Sequence, residues 1–367
     1  MNALDKREFR RILLIKPSSP GDIIHALPVL HGLRKRYPLA KLDWLVATAF
    51  VDFVAVDPAV DEIVPFDRKR FGTIGRSLGA TREFVSFLAA LRSRSYDLVV
   101  DLQGLFRSGF MAFVTGAEVR LGFADARELA PIFYTHKIRA PRGDLHAADR
   151  NFAVAPMLGF GDAEMDFSLT TTNQDRTRAS RLLAEADIES EESFALLVPS
   201  TRWETKCWPP ERFGELAVVI RERFDMKSVL VGGESDRDAG NAAAAAAAGS
   251  AVSLCGRTTL RELASLIESA AVVVTADSTP MHLAAALGRP LVALFGPTNP
   301  ARTGPHGRIE DVLRIEDLAC SPCYFRRLRQ CPHDHACMLR LEVESVAEAV
   351  GRRLGPRMQI SAGDAKC

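Results

Sequence analysis

"RILLIKPSSPGDIIHALPVL", residues 11–30, decides how this chain folds. The apolar run ILLI at 12–15 stops at Lys16 and Pro17, gives way to a turn of Ser, Pro and Gly, and leads into an apolar-periodic segment. Strand, turn and helix in that order open a Rossmann-like βα unit. Asp22 closes the turn, and the loop alone leaves two readings open for it. A carboxylate at a helix start commonly serves as its N-cap; at the carboxyl end of a parallel strand it can instead work as a catalytic base. Pro28 has no N–H for a helical ladder, so the helix near it either kinks or starts late.

The scheme recurs along the chain. Mostly apolar runs at 42–46 and 98–100 follow in the first half, and runs at 195–198, 228–231, 272–275 and 291–295 in the second. Short apolar strands alternating with helices predict parallel sheets covered on both faces, hence an α/β fold with two doubly wound domains. A length of 367 residues suits two such domains. The predicted division is 1–175, 176–350 and a tail at 351–367, with the polar stretch 170–192 as linker. The alanine run after Asn241 reads as helix closed by Gly249.

Composition excludes some classes. With 47% hydrophobic and 25% charged residues and a net charge of +1, the chain has no global attraction to nucleic acid. Locally the balance shifts: Arg68, Lys69, Arg70, Arg76, Arg82, Arg92 and Arg94 face only Glu83 in that stretch, which is either a solvated face or a surface for an anionic partner. No apolar stretch approaches the ~18 residues of a membrane span, and the first residues lack a signal-peptide pattern. A cytoplasmic protein is expected, so its seven cysteines are not read as a disulfide framework.

Three further strand ends are candidates for chemistry, each with an ordinary alternative: a surface lysine at Lys206, a common glycine turn at Gly232 and Gly233, and a helix cap with a partly buried surface histidine at Asp277 and His282. After the run at 195–198 come Ser200, Thr201 and Lys206, hydroxyls and a point cation suited to a diphosphate. After 228–231 come Gly232, Gly233 and Glu234, where a carboxylate can meet a ribose. After 272–275 come Asp277, Ser278, Thr279 and Pro280 ahead of Met281 and His282, a helix start whose N–H groups and dipole favour phosphate. Neither GxGxxG after the first strand nor GxxxxGK[ST] is present, against an ordinary NAD enzyme or P-loop NTPase.

Together with "DLVVDLQGLFRSG" from Asp97, "GFADARELAPIFY" from Gly122, "HAADRNFAV" from His146 and "FGPTNPARTGP" from Phe295, these loops resemble the bacterial ADP-heptose:lipopolysaccharide heptosyltransferases, glycosyltransferase family nine. The middle of the chain is most similar to the heptosyltransferase I branch. The resemblance implies the GT-B fold, two Rossmann-like domains facing a central cleft, and an inverting transfer of heptose from ADP-heptose to a Kdo-lipid A type acceptor. It implies Asp22 as general base. It places Ser200, Thr201, Lys206, Glu234, Asp277, Ser278, Thr279, Met281 and His282 on the donor, and Ser19, Gly21, Arg68, Arg70, Arg107 and Arg127 on the anionic, lipid-anchored acceptor at the inner-membrane surface. The family usually has a glycine after Asp-Ser or Asp-Thr, where this chain has Thr279. No Asp-x-Asp magnesium site is evident, and transfer is expected to need no metal cofactor. Two rivals are another nucleotide-sugar transferase of the same fold and a two-domain sugar-binding protein.

"CSPCYFRRLRQCPHDHAC" holds Cys320, Cys323, Cys331 and Cys337. Four thiols at such spacing suit a structural zinc or iron ion, or form a reduced thiol cluster.

Overall fold

The computed structural model describes residues 4–141, 143–189 and 191–355. Its contacts divide the chain into two compact units between Thr170 and Thr171. In the first, β1 (Arg11–Ile15), β2 (Lys41–Ala47), β3 (Glu62–Phe66), β4 (Leu98–Asp101), β5 (Val119–Phe123) and β6 (His136–Ile138) form one parallel sheet in the order β3-β2-β1-β4-β5-β6. In the second, β7 (Phe194–Val198), β8 (Lys227–Leu230), β9 (Ala251–Ser253), β10 (Val272–Ala276), β11 (Leu291–Phe295) and β12 (Val312–Arg314) are ordered β12-β11-β10-β7-β8-β9. Both are the same winding: the first strand lies in the middle and the order reverses beside it. A crevice opens at that reversal, outside the carboxyl ends of the strands.

The central strands are buried along nearly their whole length, which is why they read as unbroken apolar runs. The sequence reading did not find β3, β5, β6, β9 or β12. All four sheet edges are among these. Edge strands are covered less completely, so β3 alternates exposed and buried residues around Pro65, and the three-residue β12 is half-buried throughout.

The unit boundary lies before the helix Asn173–Ala184 rather than at 175, because the cap of that helix belongs to the second unit. Asp175 accepts bonds from Thr172 N and Oγ1 and is held by Arg261 at 2.7 Å. At the other end, residues 351–354 complete the helix Val343–Leu354 instead of starting a tail; 356–367, with Cys367, lie outside the described residues. The alanine run continues a helix that starts earlier, at Arg237–Ala246, with Gly249 in the turn beyond it at φ +86°.

Behind β1 the chain makes a short helix, α1 (Pro20–Ile24), and then α2 (Leu27–Arg36), with Pro28 in the first turn of α2. The interruption is a late start, placed where Pro lacks only an N–H that has no helical partner anyway. His31 ties α2 to the rest of the unit. Its ring nitrogens lie 3.1 Å from Asp57 Oδ2 and 2.9 Å from the Asp166 carbonyl.

Burial disfavours the charged ring, but the hydrogen bond and charge of Asp57, reinforced by Asp166, outweigh it and raise the His31 pKa above its ordinary 6.5. A raised folded pKa gives stability that is complete below 6.5 and is lost as pH rises through the folded value. Denaturant titrations across that window should therefore show the first unit weakening with rising pH, and His31→Gln should remove this component of the slope. An unchanged slope in the variant would show that His31 is not the group that titrates.

Candidate functional site

In the first unit, the carboxyl ends of four strands of the sheet carry the residues of interest: the Asp22 loop after β1, Arg107 after its neighbour β4, Arg127 after β5, and Arg68 and Arg70 after the edge strand β3. Asp22 is not the N-cap. Ser19 holds that position, and Asp22 at the third helical position turns back to it, Oδ2 accepting from Ser19 N at 2.9 Å and Ser19 Oγ at 2.8 Å. Its other oxygen, Oδ1, lies 3.6 Å from Lys16 Nζ, and the Asp22 side chain is 42% exposed. The lysine is itself buried and donates to the Leu102 carbonyl at 3.0 Å, bridging the loops after β1 and β4 at the reversal of strand order. Asp22 is thus a carboxylate held by its own loop beside a fixed cation, with substantial exposure. Gly21 is buried beneath it.

Sequence reasoning gave no role to the residues behind this loop. His25 ends α1, its ring centroid 5.0 Å from that of His146, and Asn151 donates to the His25 carbonyl at 3.0 Å. "HAADRNF" is the buttress of the Asp22 turn, a signal that lay in a quoted motif.

The arginines differ in availability. Arg68 is exposed, whereas Arg70 is engaged by Glu83 through two bonds of 2.7 Å. Arg107 lies over the Phe66 ring at 5.8 Å, which brings it to the start of the basic stretch. Arg127 is exposed on a loop tied by its N–H to the Gly104 carbonyl at 3.0 Å, beside the turn that leads to Arg107.

In the second unit, β7 and β10 are neighbours at the reversal of order, so the loops after them meet. Lys206 Nζ pairs with Asp277 Oδ2 at 2.6 Å and lies 4.5 Å from the Trp203 ring centroid. Thr298 and Thr303 Oγ1 donate to the same Asp277 oxygen at 2.7 and 3.0 Å. Both partners are largely buried, with side-chain exposures of 12% and 5%. The two threonines were not singled out from the sequence, although "FGPTNPARTGP" contains them. Asp277 is therefore a positioning residue: its Oδ2 is occupied by three donors and fixes the cation.

Ser278 is the N-cap of the helix Thr279–Ala286 but makes no side-chain cap bond; its hydroxyl lies 3.1 Å from Thr275 Oγ1. The N–H groups at that helix start receive no side-chain cap from Ser278, and the dipole makes that end positive. Thr279 opens it in place of the usual glycine, while Met281 is fully buried, so its side chain packs in the core, and His282 is buried as well. Ser200 and Thr201 are half-buried on the Lys206 loop, whose Cys207 thiol reaches the Thr201 carbonyl at 3.6 Å. Glu234, after β8, has a 74% exposed side chain paired with Arg237 at 2.8 Å. Asp236, not Glu234, fastens the glycine turn, accepting from Gly233 N at 2.8 Å. Cys320, Cys323, Cys331 and Cys337 line one pocket, and burial together with the neighbouring thiols pushes the Cys337 pKa up to about 11.

A shared network predicts non-additive energetics. In a double-mutant cycle on unfolding free energy, Lys206→Met and Asp277→Asn should couple by about 1–3 kcal/mol. Additive losses would mean that the pair is not a unit.

Residues 84–334 match glycosyltransferase family 9 (heptosyltransferase). The lipopolysaccharide heptosyltransferase 1 of Pseudomonas aeruginosa is 33% identical over 85% of this chain and 86% of its own length. That of Escherichia coli K12 is 29% identical over 83% and 93%. The solved structure of E. coli heptosyltransferase WaaC with ADP superimposes with a TM-score of 0.72 at 26% identity, covering 94% of this chain and 99% of that one. A family 9 glycosyl transferase from Veillonella parvula reaches a TM-score of 0.82 at 22% identity over 95% and 98%, a likeness of fold. With two parallel sheets of the GT-B type and a match over most of its length, the chain belongs to glycosyltransferase family 9, the heptosyltransferases, and is a glycosyltransferase.

Proposed function

We propose that the protein is a heptosyltransferase of the first type, transferring heptose from ADP-heptose to a Kdo-lipid A type acceptor in lipopolysaccharide core synthesis. The observation that carries the donor half is the Lys206 ammonium fixed by Asp277 at the strand reversal of the second sheet, next to a helix start without its own side-chain cap. The 33% identity to the Pseudomonas aeruginosa protein named lipopolysaccharide heptosyltransferase 1 supports the branch.

In this reading the acceptor hydroxyl attacks the anomeric carbon as Asp22 takes its proton, the bond from that carbon to the diphosphate oxygen breaks, and the sugar inverts. The departing ADP gains negative charge. Lys206 and the helix start at Thr279 stabilise it where it develops, so the reading assigns no step to a metal ion. In the same reading the Ser200 and Thr201 hydroxyls donate to the diphosphate, and Glu234, now paired with Arg237, accepts from the ribose. Arg68, Arg107 and Arg127, with Arg70 once it leaves Glu83, meet the acid groups of the acceptor; Ser19 and Gly21 shape the turn beneath it.

No helix of the described residues is long and apolar enough to cross a membrane. A lipid-anchored acceptor, as proposed, places the enzyme at the inner-membrane surface, on its cytoplasmic side. Support comes from residues 68–85 of the first unit, a stretch that holds exposed Arg68, Lys69, Arg76 and Arg82 together with Leu78 and Val85, 92% and 60% exposed. Basic and apolar side chains together suit an anionic lipid surface.

ADP release from purified protein given Kdo-lipid A and a panel of nucleotide sugars tests the whole. ADP-heptose should be the donor used; turnover with another sugar alone would overturn the heptose assignment. Asp22→Asn should lower transfer by about 10²–10⁴-fold, the usual worth of a general base, with ADP affinity retained. Transfer at the parental rate would remove Asp22 from the chemistry.

A further inference from the structure

Between β12 and the helix Val343–Leu354 the chain contains only single-turn elements, Leu328–Gln330 and Ala336–Leu339. A segment this long without regular structure needs something else to hold it. Its four cysteines line a single pocket with Pro297 and Phe325, and none of them is in a disulfide. Cys337 is buried against the end of β11, so closely that a Cβ on Gly296 would come within 2.8 Å of its sulfur. Cys323 is fixed from the same side, its N–H donating to the Pro297 carbonyl at 3.0 Å. Two ligands from a C-x-x-C turn and two more from later turns are the donor set of a tetrahedral thiolate site, and sulfur donors select zinc or iron over magnesium or calcium. Arg326, Arg327 and Arg329 lie within the same segment.

The segment also bears on the Lys206 loop. Thr205 Oγ1 donates to the Phe325 carbonyl at 2.5 Å, and His335 Nε2 donates to the Thr205 carbonyl at 2.8 Å. Leu328 N donates to Glu204 Oε2 at 3.0 Å. Arg326 stands 4.7 Å from the centroid of the Trp203 ring that Lys206 also approaches. Each residue from 203 to 206 is therefore held by the cysteine segment or by a neighbour that the segment holds.

We propose that Cys320, Cys323, Cys331 and Cys337 bind one thiophilic metal ion, zinc or iron, and that this ion sets the Lys206 loop by fixing the segment packed against it. Ligation converts four thiols to thiolates, releasing their protons to solvent. Among the described residues no three of these sulfurs lie mutually within 4.8 Å, so ligation includes a contraction of the segment, in which only single-turn elements shift. The site itself is independent of the donor reading; its effect on nucleotide binding rests on that reading.

Elemental analysis of the purified full-length protein should find about one zinc or iron per chain, the two elements being distinguished in the same measurement. The four thiols should be protected from a thiol reagent until a chelator removes the metal, and the added ion, zinc or iron(II), should restore protection. Cys320→Ser with Cys323→Ser should lose the metal, and ADP affinity should fall by about fivefold or more, as for a coupled site, with circular dichroism showing both sheets intact. Chelation and reloading of the unaltered protein gives the same comparison without a substitution. Absence of metal with freely reactive thiols overturns the site. Full metal occupancy with ADP affinity unchanged on its removal overturns the coupling. A protein that binds metal but no ADP in any form contradicts the donor reading and leaves the metal site standing.

Discussion

A parallel sheet cannot be wound in one direction only and still be covered on both faces. The chain must return to the middle and wind outward the other way, and the two connections that leave in opposite directions part at the carboxyl edge. This constraint acts twice in the molecule. In the first sheet it sets the loops after β1 and β4 side by side, where Lys16 bridges to Leu102 and faces Asp22. In the second it brings the loops after β7 and β10 together, where Lys206 meets Asp277. Residues more than seventy positions apart become a site because the winding leaves them no helix to hide behind.

The Lys206–Asp277 pair is costly as a purely structural device. Largely buried charges lose hydration that their attraction only partly repays, and apolar residues of similar size often serve stability as well or better. Here the cost is limited because Thr298 and Thr303 also satisfy the carboxylate. What the arrangement supplies is a cation whose position is already fixed, which in the proposed transfer leaves little reorganisation to do when diphosphate charge develops. Asp22 follows a different logic: it stays 42% exposed, braced by its own turn.

Which features could be read from sequence follows from burial. The central strands, buried along their length, stand out as continuous apolar runs, and so did the winding that they impose. Edge strands such as β3, with Pro65 and an exposed Glu62, carry half that signal and were missed. The strand-end loops were legible because Ser, Gly, Asp and Lys after an apolar run have few reasons to be there. Their internal geometry was not. Ser19 rather than Asp22 stands at the N-cap position of α1, Met281 belongs to the core, Arg70 is bound to Glu83, and Asp236 rather than Glu234 secures the glycine turn. Each of these depends on which of two nearby polar groups reaches a backbone N–H or an opposite charge, a choice made by three-dimensional packing and invisible in spacing. The roles of Thr298 and Thr303 belong to the same class.

The central claim is that the second unit presents a preformed anion site built on Lys206 and the start of the helix Thr279–Ala286. A crystal structure of the protein with ADP tests it most directly. The account predicts diphosphate oxygens within hydrogen-bond distance of Lys206 Nζ and of the backbone N–H at that helix start, with Asp277 still holding the lysine. A diphosphate bound elsewhere in the unit, with the Lys206–Asp277 pair untouched and out of its reach, would contradict it.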